Sequence, residues 1–427
     1  KLLTNFRLNI MNFLKQKISY KLVLETLYYF IEDLEPEFID LEELIEDLMR
    51  YLLLSPDEIS MPIHIREKAL EIIENLIENG YQTSFSKIAE YMDIDNSLIT
   101  REIAKINARY NAFWRVEKNF NKMGLYTYLI IIRFDNKDEI YDLLIKKIGE
   151  IKYTFDIFTG SNEKYVYLYT ILQSPHLLIN NLIYEFDKLV KEKKIISFDI
   201  NTITKRSFYS SFVQQALNPS IENIQNLLEN KILYKKLELW NTDLFNDKKR
   251  IDFKTQNEKL LEFLSVLLYS HLTGNKIFGV RIEHIYKFFE KHNINPKDMV
   301  LITNFMTNLE KEAIDMNLLD YRLQVAKSRL NTSNSLIIKL IKPPERNDIE
   351  KIINSLLCFG ISIVMESYDC IFISIIGPTN DCLVYKSVHQ FLNKSKIPFE
   401  CFIIESIIRK YVPYHILYDY ENKKWLI

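Results

Sequence analysis

The sequence predicts an α+β chain in which one compound unit, helices followed by strands and helices in the order βαββαβ, occurs twice behind a helical leader. Three observations carry this. Apolar residues recur at helical spacing in residues 65–110 and again in 256–312. A βαββαβ pattern follows each of these segments. Matching positions of the two patterns also lie a nearly constant distance apart. At 427 residues the chain is too long for one compact core, so several domains are expected.

The first sixty residues read as helices, for instance YKLVLETLYYFIEDL and DLEELIEDLMRYLLL, punctuated by Pro56 and Pro62. Residues 32–58 hold eleven acidic side chains and one basic one, Arg50, most simply a solvated face. The remainder is mildly basic, so the overall charge of −2 does not exclude a nucleic-acid partner.

From Ile65 the pattern becomes three helices. REKALEIIENLIENG carries Leu70, Ile73 and Leu76 on one side and is stopped by Gly80. In SFSKIAEYM, Phe85, Ile88, Ala89 and Met92 make one buried face, and Asp93-Ile94-Asp95 turns the chain with Ile94 as its anchor. Asp95 is placed to cap the next helix, NSLITREIAKINARY, which turns Ile99, Ile103 and Ile106 inward. AFWRVEKNF reads as a wing strand. The expected outward face of the third helix is Asn96, Ser97, Thr100, Arg101, Lys105 and Arg109, with Arg115 and Lys118 adding charge on the wing. Short polar groups near a helix start and cations beyond it suit base edges and phosphates respectively.

TYLIIIRF, KDEIYDLLIKKI, IKYTFDIFT, YVYLYTIL, LLINNLIYEFDKLV and IISFDI then read βαββαβ, a ferredoxin-like order. Residues 208–255 are expected to be a mainly helical connector. The second copy follows: EKLLEFLSVLLYSHL, RIEHIYKFFEKH and PKDMVLITNFMTNLEKEA as helices, LLDYRLQVAK as a wing, then βαββαβ over 335–406. Its third helix is expected to expose Lys297 and Lys311 against Asp298, Glu310 and Glu312, too acidic for phosphates. Ile130 is matched with Ile337, Tyr165 with Cys370, and Arg206 with Arg409. The expected division is thus 1–62 extension, 63–124 winged helix-turn-helix, 125–207 ferredoxin-like domain, 208–255 connector, 256–330 degenerate winged helix and 331–427 second ferredoxin-like domain.

SKIAEYMDIDNSLITREIAKI, the wing, the junction Lys122-Met123-Gly124-Leu125 and the strand TYLIIIRF together resemble the Lrp/AsnC family of transcription regulators. The resemblance covers residues 65–205, and 256–408 in architecture. It implies a DNA-reading first winged helix, dimerisation through the βαββαβ domains and a small-molecule effector site. The turn Gly160-Ser161-Asn162-Glu163-Lys164-Tyr165 lacks the acidic residue directly after the glycine, which puts amino-acid sensing in doubt.

The seven histidines and the cysteines Cys358, Cys370, Cys382 and Cys401 show no ligand spacing, so no metal and no cofactor is expected. No apolar run reaches membrane-span length, which points to a cytoplasmic protein. Tyr165, Tyr167 and Tyr169 share a strand face, yet Lys164-Tyr165-Val166-Tyr167 lacks the glycine of an RNA-binding signature; the face reads as a domain contact. Neither a nucleophile elbow nor a phosphate-binding glycine loop is present, so the chain is expected not to be an enzyme. These features together predict a regulator of double-stranded DNA, a homodimer paired through the aromatic sheet backs, within or between chains. The alternatives are an interaction scaffold, or an enzyme resembling the siroheme decarboxylases, which share the tandem architecture and imply histidines and cations around a tetrapyrrole pocket. Of the histidines, His176 starts a helix, while His284, His389 and His415 fall on separate elements.

Overall fold

The structure is a computed structural model. It describes residues 71–72, 75–76, 85–110, 113–135, 138–213, 234–243, 257–271, 276–278, 282–295, 298–324, 335–341, 361–376, 381–394 and 398–427. The acidic leader lies outside them. The fold is mixed α+β, built around a closed eight-stranded barrel.

In the first half, α1 (Phe85–Tyr91) and α2 (Asn96–Tyr110) are joined by a turn in which Asp93 takes a left-handed φ of 51°. The amide of Ile94 closes the turn on the carbonyl of Ala89 at 3.0 Å. As expected, Asp95 caps α2: its carboxylate accepts from the Ser97 amide at 2.7 Å. Ile88, Ala89, Ile99 and Ile103 are buried together. After β1 (Phe113–Lys118), the chain reverses through Gly124, whose φ of 80° suits a residue without a Cβ. The sheet unit follows as β2 (Tyr126–Phe134), α3 (Asp138–Glu150), β3 (Thr154–Ser161), β4 (Val166–Ser174), α4 (His176–Lys191) and β5 (Ser197–Val213).

The second half repeats much of this. β6 (Tyr234–Asp243) leads to α5 (Glu258–Val266), β7 (Leu267–His271), β8 (Lys276–Phe278), α6 (Ile282–Lys291), α7 (Met299–Asp315) and β9 (Leu319–Gln324). The turn between α6 and α7 copies the first: Asn293 has φ 55°, and the Ile294 amide reaches the Phe289 carbonyl at 2.9 Å. β10 (Ser335–Ile341), β11 (Ile361–Ser367), β12 (Cys370–Ile376), α8 (Asp381–Lys394) and β13 (Phe399–Arg409) complete it, before α9 (Tyr414–Leu417), β14 (Tyr418–Asp419) and β15 (Lys424–Trp425).

Strands run β3-β4-β2-β5 in the first half and β11-β12-β10-β13 in the second, every pairing antiparallel. β13 pairs with β3 and β11 with β5, so the halves close on each other within one chain. β2 is almost wholly apolar because both its faces are covered. Leu129 and Ile131 point into the barrel with Tyr167, Tyr169, Phe372 and Phe402. Ile130 and Ile132 lie under α3 and α4 with Leu144, Ile148, Phe186 and Leu189. The expected pairing of aromatic backs thus occurs inside the chain, where Tyr167 stacks on Phe402 at 4.4 Å and 6°. Buried there, Tyr167 and Tyr169 have no face free for a base.

Arg133 on β2 forms a two-pronged ion pair with Glu400 on β13 and a 2.7 Å pair with Asp199 on β5, which also takes Lys339 on β10 at 2.6 Å. Two cations and two anions thereby cross-link the halves. At the β3–β13 seam, Gly160 lies opposite Ile404, and a Cβ there would collide with the carbonyl oxygen of Ile403. A second sheet, β8-β7-β1-β9, joins the two helical units, whose core is continuous.

Four expectations need correction. Residues 208–213 and 234–243 are strand, not helical connector. The helix expected over EKLLEFLSVLLYSHL stops at Val266 and LLYSH is strand β7, because those residues pair with β1. Ile130 and Ile337 face opposite sides of the wall. Ile131, not Ile130, shares the inward face with Ile337, and a one-residue slip turns every side chain to the other face. Lastly, Glu310 is buried, and Asp298 caps α7 by accepting from the Val300 and Leu301 amides.

Candidate functional site

A pocket of about 980 Å³ opens at one end of the barrel. Five separate pieces of chain form it. Met123 and Gly124 come from the junction before β2, with Tyr126 and Tyr128 from β2 itself. Pro175, His176 and Leu177 open α4, and Thr202 lies opposite Tyr128 on β5. Tyr368, from the turn between β11 and β12, is the contribution of the second half, and the C-terminal segment adds Tyr418 and residues 423–427. Among these residues the charged side chains are Lys423 and Lys424; none is acidic.

The C-terminal segment is held by buried anchors. Trp425 donates its indole N–H to the Met123 carbonyl at 2.7 Å, and the Tyr153 hydroxyl donates to the Leu426 carbonyl at 2.5 Å. Asp419 accepts from the amides of Glu421 and Asn422 and from the Asn422 side chain, which tightens the hairpin that presents the two lysines. Lys423 takes φ 52° in that turn.

His176 sits at the first position of α4, after Pro175, and its Nδ1 lies 2.8 Å from the Tyr128 hydroxyl. Tyr126 approaches the imidazole edge-on, with centroids 6.1 Å apart. Burial, with Tyr126 adding to it, pushes the Tyr128 phenol up to about 12, so it keeps its proton near neutrality. Sequence reading noticed that His176 starts a helix. It missed Tyr128, 48 residues earlier, and every wall supplied by the C-terminal segment.

The other histidines divide. His292 and His415 meet at Glu262 on α5, and His284 stacks on Tyr411 at 4.0 Å, while His389 contacts Asn393 on its own helix. Among the described residues no group of ligating side chains is arranged to hold a metal. Cys370 and Cys401 are buried thiols. No described helix is long and apolar enough to cross a membrane.

Of the residues expected to meet DNA, Asn96, Ser97, Thr100 and Arg101 share an exposed face at the start of α2, where the Arg101 guanidinium reaches the Ser97 carbonyl at 3.4 Å. Lys105 and Arg109 lie further along α2 and Arg115 on β1 opposite Arg322; their side chains are outside the described residues. Lys118 ends β1 and is half-buried. Its ammonium lies 5.6 Å over the Tyr414 ring, and burial pulls its pKa down to about 7.

No family model matches the chain, and no curated protein matches it. Among solved structures it resembles the siroheme decarboxylase NirDL in complex with an iron-uroporphyrin III analogue, at 9% identity and a TM-score of 0.42, over 81% of this chain and 94% of that one. NirDL without the analogue gives 8% and 0.42, over 80% and 92%. A putative monooxygenase from Fusobacterium nucleatum subsp. nucleatum gives 9% and 0.26, over 67% and 95%. The expectation that the chain is not an enzyme finds no support in these matches, whose proteins are described as a siroheme decarboxylase and a putative monooxygenase. With TM-scores below 0.5, none of these likenesses assigns this chain a function.

Proposed function

We propose that this chain binds a planar, carboxylate-bearing tetrapyrrole in the barrel-end pocket and acts on it as a siroheme-decarboxylase-like enzyme. In this reading the architecture is a tandem of winged helix-turn-helix and ferredoxin-like units, supported by the repeated strand order and the repeated left-handed turn. The observation that carries the proposal is the pocket's lining: aromatic rings of Tyr126, Tyr128, Tyr368, Tyr418 and Trp425, with lysines as its charged side chains. Flat rings suit a macrocycle, and cations without competing acidic side chains suit its acidic substituents. The volume lies at the upper end of the range for small-molecule sites.

Loss of a carboxylate as CO2 leaves the bond's electron pair on carbon, which then takes a proton. With the His176 ring protonated and its Nδ1–H held by the Tyr128 hydroxyl, Nε2–H passes its proton to the carbon and the ring returns to its neutral form, so His176 is the proton donor and Tyr128 its positioning partner. The macrocycle is substrate here. The test is turnover of siroheme followed by mass spectrometry. Wild type should release one CO2 per carboxylate lost, and His176→Ala should bind siroheme but cease to convert it. Conversion at the wild-type rate by His176→Ala overturns the assignment.

A second reading, binding of double-stranded DNA by a homodimer, is favoured by the exposed face of Asn96, Ser97, Thr100 and Arg101. The pocket is then the effector site. Arg101→Ala should weaken binding to the preferred duplex and reduce its salt dependence; unchanged affinity removes this reading.

A further inference from the structure

We infer that the C-terminal strap, residues 411–427, is an acid-sensitive latch on the pocket, and that protonation of His415 loosens it and empties the site. The pocket reading above defines only what is emptied; the latch is a property of the fold.

The strap supplies Tyr418 and residues 423–427 to the pocket wall. Its base is fixed by Tyr414, which is fully buried, donates its amide N–H to the Ser265 hydroxyl oxygen at 3.0 Å and donates its own hydroxyl to Gln173 at 3.3 Å. Next to it, His415 and Glu262 keep only 9% side-chain exposure each, with His415 Nε2 3.7 Å from Glu262 Oε1. The other oxygen of Glu262 already holds His292 at 2.9 Å and Lys291 at 3.0 Å, and Lys291 also pairs with Glu258 at 3.0 Å. From the strap, Tyr411 and Tyr420 feel Glu262 as well; burial raises both phenols, so neither accepts a proton. His284 stacks on Tyr411.

Among the described residues, His415 Nδ1 is buried without a hydrogen-bond partner. A neutral ring tolerates this, with Nε2–H towards Glu262 and a bare lone pair on Nδ1. An imidazolium does not, because it places a second N–H where no described group accepts it. Lys291 and His292 already occupy the nearby carboxylate, so the added charge is only partly balanced. In keeping with this geometry, burial holds His415 below its ordinary value, outweighing the pull of Glu262. The direction follows. A released strap titrates at the ordinary histidine value of about 6.5 and the latched one lower, so the latch is whole above about 6.5 and weakens as pH falls through the latched value.

Hydrogen exchange of the full chain at about pH 7.5 and about pH 5.5, corrected for intrinsic rates, tests the latch without a ligand. Protection of strap peptides should fall by about tenfold, near the limit for one proton over one pH unit, while β2 and β4 stay protected. His415→Gln should abolish the difference; His292→Gln and His284→Gln should keep it. Equal strap protection at both pH values, or the same loss in His415→Gln, overturns the latch. If His415→Gln does not fold, titration of the His415 ring in wild type by NMR decides: a value at or above about 6.5 refutes it. Uroporphyrin affinity should fall with pH in wild type and not in His415→Gln. Failure of wild type to bind porphyrin at any pH sinks the pocket reading, and the exchange result still decides the latch.

Discussion

Replacing Glu400 by Gln should cost the fold about 3 kcal/mol. Arg133 gives Glu400 both an Nε and an Nη2 contact, and the side chains are only 11% and 15% exposed. Glutamine keeps the volume and one acceptor but removes the charge. Arg133 is then left with Asp199, already shared with Lys339 at 2.6 Å, so two cations face one anion. Removing one partner of a buried pair costs about 3–5 kcal/mol, and the surviving Asp199 places this case at the low end. Tyr167, which donates to Glu400 at 2.9 Å, loses its charged acceptor as well. The assay is urea unfolding followed by far-UV circular dichroism, read as a shift in midpoint at constant slope. The double change Arg133→Met/Glu400→Met should recover most of the loss, since it removes both buried charges. A cost under about 0.5 kcal/mol for Glu400→Gln, the size of an exposed pair, would refute the claim that the network ties the halves together inside the barrel.

Other outcomes follow from the same geometry. Gly160→Ala should destabilise by about 2 kcal/mol or more in the same assay, because its Cβ meets backbone of β13 that cannot move without breaking the seam. Asp298→Ala should cost about 1 kcal/mol by removing the acceptor for two amides at the start of α7, with Asp298→Asn largely restoring it. In acid, burial works to raise the Asp199 carboxyl but hydrogen bonds from Lys339 and Arg133 outweigh it, so its pKa is depressed. Its contribution is therefore full above about pH 4 and is lost as pH falls through the lowered value, which Asp199→Asn should erase from the pH–stability curve.

What could be read from the sequence was whatever repeats locally. The spacing of Ile88, Ala89, Ile99 and Ile103 located the buried face of α1 and α2, and Lys122-Met123-Gly124-Leu125 marked a turn that needs a left-handed residue. Apolar runs located most strands. Pairing partners were not legible: YKKLELW is a strand because β5 continues past residue 207 to meet it, and LLYSH leaves its helix because β1 lies alongside. Face assignment failed by one residue at Ile130, since a strand buried on both sides carries no alternation to fix its phase. The site was least legible. Its lining runs from Met123 to Ile427, and the partner that gives His176 chemical meaning stands on another element.

Titration of the chain with uroporphyrin, followed by porphyrin absorbance and by quenching of tryptophan fluorescence, puts the pocket most directly to the test. One saturable site per chain is expected, weakened by at least about tenfold in Lys423→Glu/Lys424→Glu, where the rim's cations become anions. Absence of saturable binding, or equal affinity in wild type and the charge-reversed variant, would contradict the account.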